Sequence, residues 1–237
     1  MRLPSRAVML LAAAALPLAL TACSAGSTGA GTDSGTATSA EPAKAKDPNS
    51  GLFTGTELKK ALAPASAFPS GLTLESDGSA DSGGQFLSPA ARKAGKPDCT
   101  RLETTSWIQV SGYKGGVSFA QNGYASKTEE VDQEIDAFQG STAAAVMKAL
   151  RTVAAECATY TDTDAHAKVK LTGSDTAGLG DEAYTMTLTS GYWENGTTLI
   201  AARSGGSVVT VLSTAGTDNG AATARKVTTT VLSALKK

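Results

Sequence analysis

Residues that could carry nucleophilic, acid–base or metal chemistry are few in this chain. His166 is its one histidine, and its three cysteines are Cys23, Cys99 and Cys157. Nucleophilic catalysis needs a base beside the nucleophile, yet His166 lies in a polar segment and no serine has the G-x-S-x-G surroundings of a hydrolase. No C-x-x-C or H-x-x-x-H spacing is present, which disfavours a metal site. We therefore predict no catalytic residues, no metal and no cofactor.

An adjacent acidic pair, Asp181 and Glu182, is the remaining candidate for acid–base chemistry. Neighbouring residues of a strand point to opposite faces, so these two carboxylates do not flank one substrate in an extended chain. Gly178 and Gly180 just before them are typical of a tight turn, in which we expect Asp181 to bond a nearby backbone N–H. An envelope hydrolase that uses acidic residues remains the alternative to a non-enzymatic protein.

Charge and motifs exclude two further classes of function. The net charge is −1, and the 21 basic residues are scattered among 22 acidic ones, which is unlike a nucleic-acid-binding domain. No Walker sequence occurs, and no G-x-G-x-x-G follows a predicted strand, so nucleotide binding lacks support. We expect no nucleic-acid partner.

The beginning of the chain reads as a lipoprotein signal. Arg2 and Arg6 precede an apolar run that ends at Leu20, and Thr21-Ala22-Cys23 then has the small residues and cysteine of a lipobox. The run is shorter than the roughly 20 residues that a membrane-spanning helix needs. Residues 1–22 are thus predicted to be a signal peptide, and lipid on Cys23 is predicted to hold the chain on the extracytoplasmic face of the membrane.

Two regions of very different composition follow the lipobox. Residues 23–50 are rich in Gly, Ser, Thr, Ala and Pro and lack the apolar residues that could form a core, so we predict a disordered tether after the lipidated cysteine. Residues 51–237 suit one compact extracellular domain. Because an oxidising compartment favours pairing of two cysteines, Cys99 and Cys157 are predicted to form a disulfide, with a metal site as the weaker alternative.

Hydrophobic periodicity predicts helices around an antiparallel meander. A capping box at Thr54 and Glu57 begins a short helix, and residues 76–97 read as a long loop with one helical turn at Ser88-Pro89. Longer amphipathic helices are expected after Ser141 and from about Asn219. Their apolar stripes are Val146, Leu150, Val153 and Cys157 in the first, and Ala224, Val227, Val231 and Leu235 in the second.

Strand-like segments occupy the regions between these helices. They lie at residues 72–74, 116–124, 129–138, 169–171, 184–188, 199–202 and 208–212. Asn195-Gly196 and Gly205-Gly206 mark hairpin turns. The predicted fold class is α+β: an antiparallel sheet, arranged as a meander, with flanking amphipathic helices and one disulfide.

Aromatic residues near loops are the candidate contacts for a ligand or a partner. Tyr192 and Trp193 lie beside the Asn195 turn, and Trp107 follows a run of threonine and serine. Such side chains are common at recognition sites, although packing in the core is the alternative for each of them.

Several short motifs follow one another along the chain: an early Cys99, the Ala-rich segment at 143–146, Glu156-Cys157, the segment Gly178-Leu179-Gly180-Asp181-Glu182-Ala183, and Arg203-x-Gly205. In this order they resemble the PknH-like extracellular domain of actinobacteria. The resemblance implies a sheet with flanking helices around an open cleft, found in kinase sensors and in free lipoproteins. It also implies two disulfides, of which the cysteines here allow one.

The preferred prediction is therefore a lipid-anchored, non-enzymatic binding or sensor-like domain at the bacterial cell envelope. Its partners would be the membrane, through lipid on Cys23, and an unknown small molecule or envelope protein. A structural lipoprotein that organises other envelope components is a further alternative to the hydrolase.

Overall fold

Eight strands and four α-helices make up the part of the computed structural model that is described, namely residues 49–81, 96–103, 107–112, 116–162 and 166–236. These residues belong to one compact unit that spans Asp47–Lys237. The helices are α1 (Gly55–Ala61), α2 (Trp107–Val110), α3 (Thr142–Glu156) and α4 (Ala221–Leu235). The strands are β1 (Thr73–Asp81), β2 (Ser118–Ala125), β3 (Glu130–Ala137), β4 (Thr159–Thr161), β5 (Lys168–Asp175), β6 (Glu182–Ser190), β7 (Thr197–Ser204) and β8 (Ser207–Ser213).

All eight strands join one antiparallel sheet in the order β1-β2-β3-β8-β7-β6-β5-β4. Two meanders, β1 to β3 and β4 to β8, meet where β3 pairs with β8. Helix α3 connects these two halves of the sheet. The predicted α+β class, with a meander and flanking helices, is confirmed.

Each face of the sheet carries its own apolar core. Helices α1 and α4 cover one face, which we call the α4 face, and Val227 and Val231 of α4 are fully buried there. Helices α2 and α3 lie on the opposite face, the α3 face, where Val146 and Leu150 of α3 are fully buried. The apolar stripes predicted for both long helices are thus the faces that pack on the sheet.

The start of the described chain is fixed by local hydrogen bonds. Thr54 Oγ1 accepts from Glu57 N at 3.3 Å, and Thr54 N donates to Glu57 Oε2 at 2.8 Å, so the predicted capping box is present at α1. After α1, the buried Gln133 amide on β3 accepts from Ala63 N at 2.9 Å and donates to Ala63 O at 3.0 Å. This two-sided contact holds the end of α1 against the sheet.

Strand β1 corrects one prediction. Residues 76–97 were expected to form a loop, yet Ser76 to Asp81 continue β1 along β2. Backbone pairing with a neighbouring strand is sufficient to extend an edge strand, whatever its side chains. The predicted helical turn at Ser88-Pro89 lies outside the described residues.

The predicted disulfide is present between Cys99 and Cys157, whose Cα atoms are 5.6 Å apart. Cys157 follows the last turn of α3, and Cys99 opens a short 3₁₀ helix, Cys99–Glu103. The bond therefore attaches the segment before α2 to the end of α3.

The predicted hairpin around Asn195-Gly196 is also present, as the connection between β6 and β7, although it is longer than a two-residue turn. Gly196 N donates to Asn219 Oδ1 at 2.8 Å, which links this connection to the segment before α4. Within the described ranges, no helix combines the length and the apolar character that crossing a membrane requires. The predicted signal peptide and Cys23 lie outside those ranges.

Candidate functional site

Strand β3 sorts its residues onto two chemically different faces. Val131, Ile135 and Ala137 are fully buried in the α4-face core. The alternate residues Asp132 and Glu134, together with Asp136, must point to the α3 face because side chains of a strand alternate. A row of three carboxyl groups thus runs along a central strand.

Neighbouring strands place uncharged polar groups beside this row. Glu134 is paired with Gln121 of β2 on one side and with Thr210 of β8 on the other. Directly opposed residues of antiparallel strands present their side chains on the same face. We call the five residues Gln121, Asp132, Glu134, Asp136 and Thr210 the acidic face, and Glu134 with Asp136 the carboxyl pair.

The acidic face has a buried floor and an accessible rim. Asp136 and Thr210 are each 1% exposed and form the floor. Gln121, Asp132 and Glu134 keep partial exposure and form the rim. Two glycines lie beneath this rim, since the Gln121 side chain lies over Gly78 and the Asp132 carboxylate occupies the space over Gly123.

The carboxyl pair retains a proton more strongly than isolated carboxyls do. Burial raises the pKa of Asp136 to about 6, although hydrogen bonds with Glu134 and Gly116 N act in the opposite direction. Burial also raises the pKa of Glu134 well above its ordinary value, and the nearby charges of Asp136 and Asp132 add to this effect. Glu134 and Asp136 are hydrogen-bonded to each other, so they share a proton near neutral pH.

Two oxygen atoms of the floor lack a hydrogen-bond donor or acceptor in the described structure. Asp136 Oδ1 accepts from Gly116 N at 2.7 Å, whereas Asp136 Oδ2 has no described donor apart from the proton shared with Glu134. Thr210 Oγ1 has no partner there either. Both oxygens are closed to solvent, and because buried polar atoms are normally satisfied, the shared proton is the natural partner of Asp136 Oδ2.

Replacement of Glu134 by Gln is expected to make stability less dependent on pH. The folded pair binds protons more tightly than the unfolded chain, so the free energy of unfolding falls as pH rises through the raised pKa values. The glutamine side chain stays neutral at every pH and still offers an N–H. Urea denaturation from pH 5 to pH 8 should therefore show a shallower decline in the variant, and greater stability than the wild type at pH 8.

Glu194→Gln is the matched control for this comparison, because it removes an exposed carboxyl from the β6–β7 connection. It should leave the wild-type pH dependence unchanged. An identical decline in the wild type and the Glu134 variant would contradict the proton held by the carboxyl pair.

A second polar cluster joins α3 to the strands β5, β6 and β7. Arg203 donates to Glu182 Oε1 at 2.7 Å and to Asp181 Oδ2 at 3.0 Å. Arg151 of α3 donates to Glu182 Oε2 at 3.1 Å and to Asp175 Oδ1 at 2.9 Å. The acids in this cluster are thus paired with guanidinium groups, and their geometric role is to attach α3 and the β5–β6 turn to the sheet.

The expected role of Asp181 as a turn residue is confirmed. Asp181 Oδ2 accepts from Gly205 N at 2.7 Å, which joins the β5–β6 turn to the β7–β8 turn. Gly180 has a φ of +59°, and a Cβ at this position would overlap the carbonyl oxygen of Arg203. The carboxylates of Asp181 and Glu182 both bind the guanidinium of Arg203, so they are brought together by an ion pair.

The aromatic residues singled out from the sequence lie in different environments. Trp107 is 0% exposed and packs with the α3-face core, whereas Tyr192 is 80% exposed. Trp193 is partly exposed and also packs against that core. The β6–β7 connection therefore presents Tyr192 as an aromatic surface, and Trp107 belongs to the interior.

Sequence reasoning overlooked the acidic face. Its signal was the alternation of acids in Glu130-x-Asp132-x-Glu134-x-Asp136, which has the period of a strand. His166 is exposed. Among the described residues, no group of three or more His, Cys, Asp or Glu side chains is arranged to hold a metal ion, so His166 is not part of one.

The fold is similar to that of a known extracellular domain. The crystal structure of the extracellular domain of PknH from Mycobacterium tuberculosis matches this chain with a TM-score of 0.53 and 16% sequence identity. The match covers 78% of this chain and 98% of that domain. The sequence itself matches no protein-family model and no curated protein. At this level of identity the similarity concerns the fold.

Proposed function

We propose that this chain is a lipid-anchored, non-enzymatic binding or sensor-like domain on the extracytoplasmic face of a bacterial cell membrane. The observation that carries the proposal is the fold similarity, because it covers 98% of an extracellular domain. The lipobox at Cys23, the tether and the motifs of the PknH-like domain support the same location from the sequence. An actinobacterial lipoprotein with an outer sensor domain accounts for these observations together.

The acidic side chains favour binding over hydrolysis. Glycosidases place their two carboxyl groups roughly 5 to 9.5 Å apart, on opposite sides of the bond that breaks. Glu134 and Asp136 instead lie side by side on one strand and are hydrogen-bonded to each other, and Asp136 is 1% exposed. This arrangement leaves no room for a substrate between the two carboxyls.

Tyr192 and Trp193 are the surface that we propose for a larger partner. Aromatic side chains on a connection between strands can anchor a protein contact with little loss of conformational entropy. Mass spectrometry of compounds that co-purify with the full-length protein tests the binding function directly, and an empty protein with a measurable hydrolytic turnover would contradict it.

Replacement of Cys23 by Ser is expected to abolish lipid attachment. Serine has no thiol to form the thioether, and the tether offers no apolar segment that could hold the chain on a membrane. Intact-mass analysis should find acyl chains on the wild-type processed protein and none on the variant, whose processed form should leave the membrane fraction. The Ser24→Ala variant retains Cys23 and should remain anchored. A processed Cys23→Ser variant that still sediments with membranes would argue against the lipoprotein assignment.

A further inference from the structure

We infer that one part of the α4 face binds an acidic polysaccharide whose sugar units carry carboxylate groups. This inference rests on the proposed binding function and specifies the class of ligand. The surface belongs to β4, β5 and β6, and we call it the hydroxyl face. Its residues are Thr159, Thr161, Lys168, Lys170, Thr172, Ser174, Thr185, Thr187 and Thr189.

Strand alternation places all of these side chains on the same side of the sheet. Val169 of β5 and Leu188 of β6 are fully buried in the α3-face core, and Tyr160 of β4 packs against that core. The residues that alternate with them therefore point to the opposite face. Helix α4 packs there on β3, β7 and β8. Beside it, Thr185 and Thr187 are partly exposed and the rest of the hydroxyl face is exposed.

Cross-strand pairing arranges the hydroxyl face in rows. Lys170 lies between Thr159 of β4 and Thr189 of β6, and Thr172 is paired with Thr187 in the next row. Neighbouring strands are about 4.8 Å apart, and successive side chains on one face of a strand are about 6.7 Å apart. Hydroxyl and ammonium groups thus recur at intervals comparable with the length of one sugar ring.

The lysines of the hydroxyl face carry charges that are not compensated by the described residues. Lys168 and Lys170 are exposed, take part in none of the ion pairs of the described chain, and are paired across the strands with threonines. The acids of β5 and β6, Asp175 and Glu182, lie on the α3 face and bind Arg151. Opposite charges commonly face each other across antiparallel strands, so a cationic row without acids favours an anionic partner.

Helix α4 adds a third cation at the border of the hydroxyl face. Arg225 is exposed and donates to Ala177 O at 3.3 Å, which places its guanidinium beside the β5–β6 turn. The helix itself contains no aspartate or glutamate. This region is therefore cationic within a chain whose net charge is −1.

The composition of the hydroxyl face favours a polysaccharide over other anionic partners. A protein interface has a core of apolar and aromatic side chains, and the hydroxyl face contains none. A membrane surface or a nucleic acid would be recognised mainly by its charge, which leaves the threonine hydroxyls without a role. An acidic polysaccharide uses both kinds of group, since its carboxylates pair with the lysines and its hydroxyls bond the threonines.

The extent of the surface favours a polymer over a single sugar. Sites for small molecules enclose most of the ligand, whereas these side chains spread across three neighbouring strands. A polymer that crosses the strands repeats the same weak contacts, and the linked contacts strengthen one another through effective concentration.

The test is fluorescence anisotropy of fluorescein-labelled oligogalacturonate with the full-length protein in a non-ionic detergent. We expect saturable binding that weakens as NaCl rises from about 50 mM to about 500 mM, because exposed charges are screened. A labelled dextran oligomer, which has hydroxyls without charge, should not bind saturably. Polyglutamate, which has carboxylates without hydroxyls, and short-chain phosphatidylglycerol should displace oligogalacturonate poorly at equal charge.

Lysine variants connect the binding to the hydroxyl face. The double variant Lys168→Gln, Lys170→Gln should bind oligogalacturonate about tenfold more weakly than the wild type. Its matched control is the double variant Lys127→Gln, Lys148→Gln, which removes the same charge from exposed positions on the β2–β3 turn and on α3. This control should bind like the wild type.

Threonine variants test the hydroxyls at constant charge. The double variant Thr172→Val, Thr189→Val conserves side-chain shape and suits a strand, and it should weaken binding about threefold. The double variant Thr128→Val, Thr152→Val changes exposed threonines outside the hydroxyl face and should bind like the wild type. Thermal denaturation verifies that each variant is folded, and either folded variant of the hydroxyl face provides the test.

The inference would be overturned by absent saturable binding, by equally effective displacement with polyglutamate or phosphatidylglycerol, or by unchanged affinity in a folded lysine or threonine variant of the hydroxyl face. None of these results affects the proposed function, which is tested by lipid attachment and by co-purifying compounds. Oligogalacturonate recovered after the titration should keep its length. Shortened chains would contradict the non-enzymatic function and would leave the binding surface in place.

Discussion

Removal of the Cys99–Cys157 disulfide is expected to lower the free energy of unfolding by about 4 kcal/mol and the Tm by roughly 10 °C. The bond closes a loop across a sequence separation of 58 residues, which restricts the unfolded chain. The measurement is thermal and urea denaturation of the wild type and of the double variant Cys99→Ala, Cys157→Ala. Alanine is preferred to serine because Cys157 is 0% exposed and a hydroxyl there would be buried.

A reductant provides the control for this prediction. Reduced wild-type protein should unfold at the temperature of the double variant, and the double variant should not respond to the reductant. Oxidised protein, denatured without reductant, should show neither Cys99 nor Cys157 as a free thiol. Equal Tm values for oxidised wild type and double variant would mean that the bond contributes nothing to stability.

The variant Trp107→Ala is expected to lose about 3 to 5 kcal/mol of stability. Trp107 is 0% exposed and is the largest fully buried side chain among the described residues. It contributes to the core between α2, α3 and the sheet, so its removal leaves a cavity there. Urea denaturation should show a lower midpoint with an unchanged m-value, because the same surface is exposed on unfolding.

Two further variants separate packing from surface effects. Trp107→Phe keeps an aromatic ring and removes the indole N–H, which has no acceptor among the described residues. This variant should therefore lose less stability than Trp107→Ala does. Tyr192→Ala removes a side chain that is 80% exposed and should change stability by less than about 0.5 kcal/mol. A stable Trp107→Ala protein would indicate that the core around α2 rearranges at little cost.

Helices and their buried faces were predictable because their signals are local. The residues of the α3 stripe recur at helical spacing, and any helix with that pattern must cover its apolar side. The capping box at Thr54 and Glu57 is equally local, since both hydrogen bonds lie within four residues. The disulfide between Cys99 and Cys157 was predictable for a different reason, namely that a predicted lipobox implies an oxidising compartment.

The extent of β1 was not predictable from its side chains. Residues 76–81 contain serine, glycine, aspartate and alanine, a composition that is typical of loops. Their conformation is set by pairing with β2, which is an interaction between distant segments. The strand propensity of a residue depends on its context, because it reflects packing against neighbouring strands more than an intrinsic preference of the backbone.

The acidic face was predictable only in part. The alternation of Asp132, Glu134 and Asp136 indicates one polar face of a strand, but it does not say whether that face is covered. Thr210 comes beside Glu134 only because β3 pairs with β8, and periodicity within either strand carries no information about that pairing. The pKa shifts of Glu134 and Asp136 depend on the same burial, so they too require the assembled sheet.

The β3–β8 pairing also determines the order in which this protein can fold. The β1–β3 meander and the β4–β8 meander can each form from nearby segments, but the sheet is completed only when β8, its last strand in the sequence, is available to β3. Because β3 and β8 are far apart in the sequence, their pairing closes a long loop of chain. Closing that loop is entropically costly and makes folding slow, on the order of milliseconds to seconds. The edge of β3 that β8 covers therefore stays unpaired until β8 has joined it, and aggregation through this edge competes with folding throughout that interval.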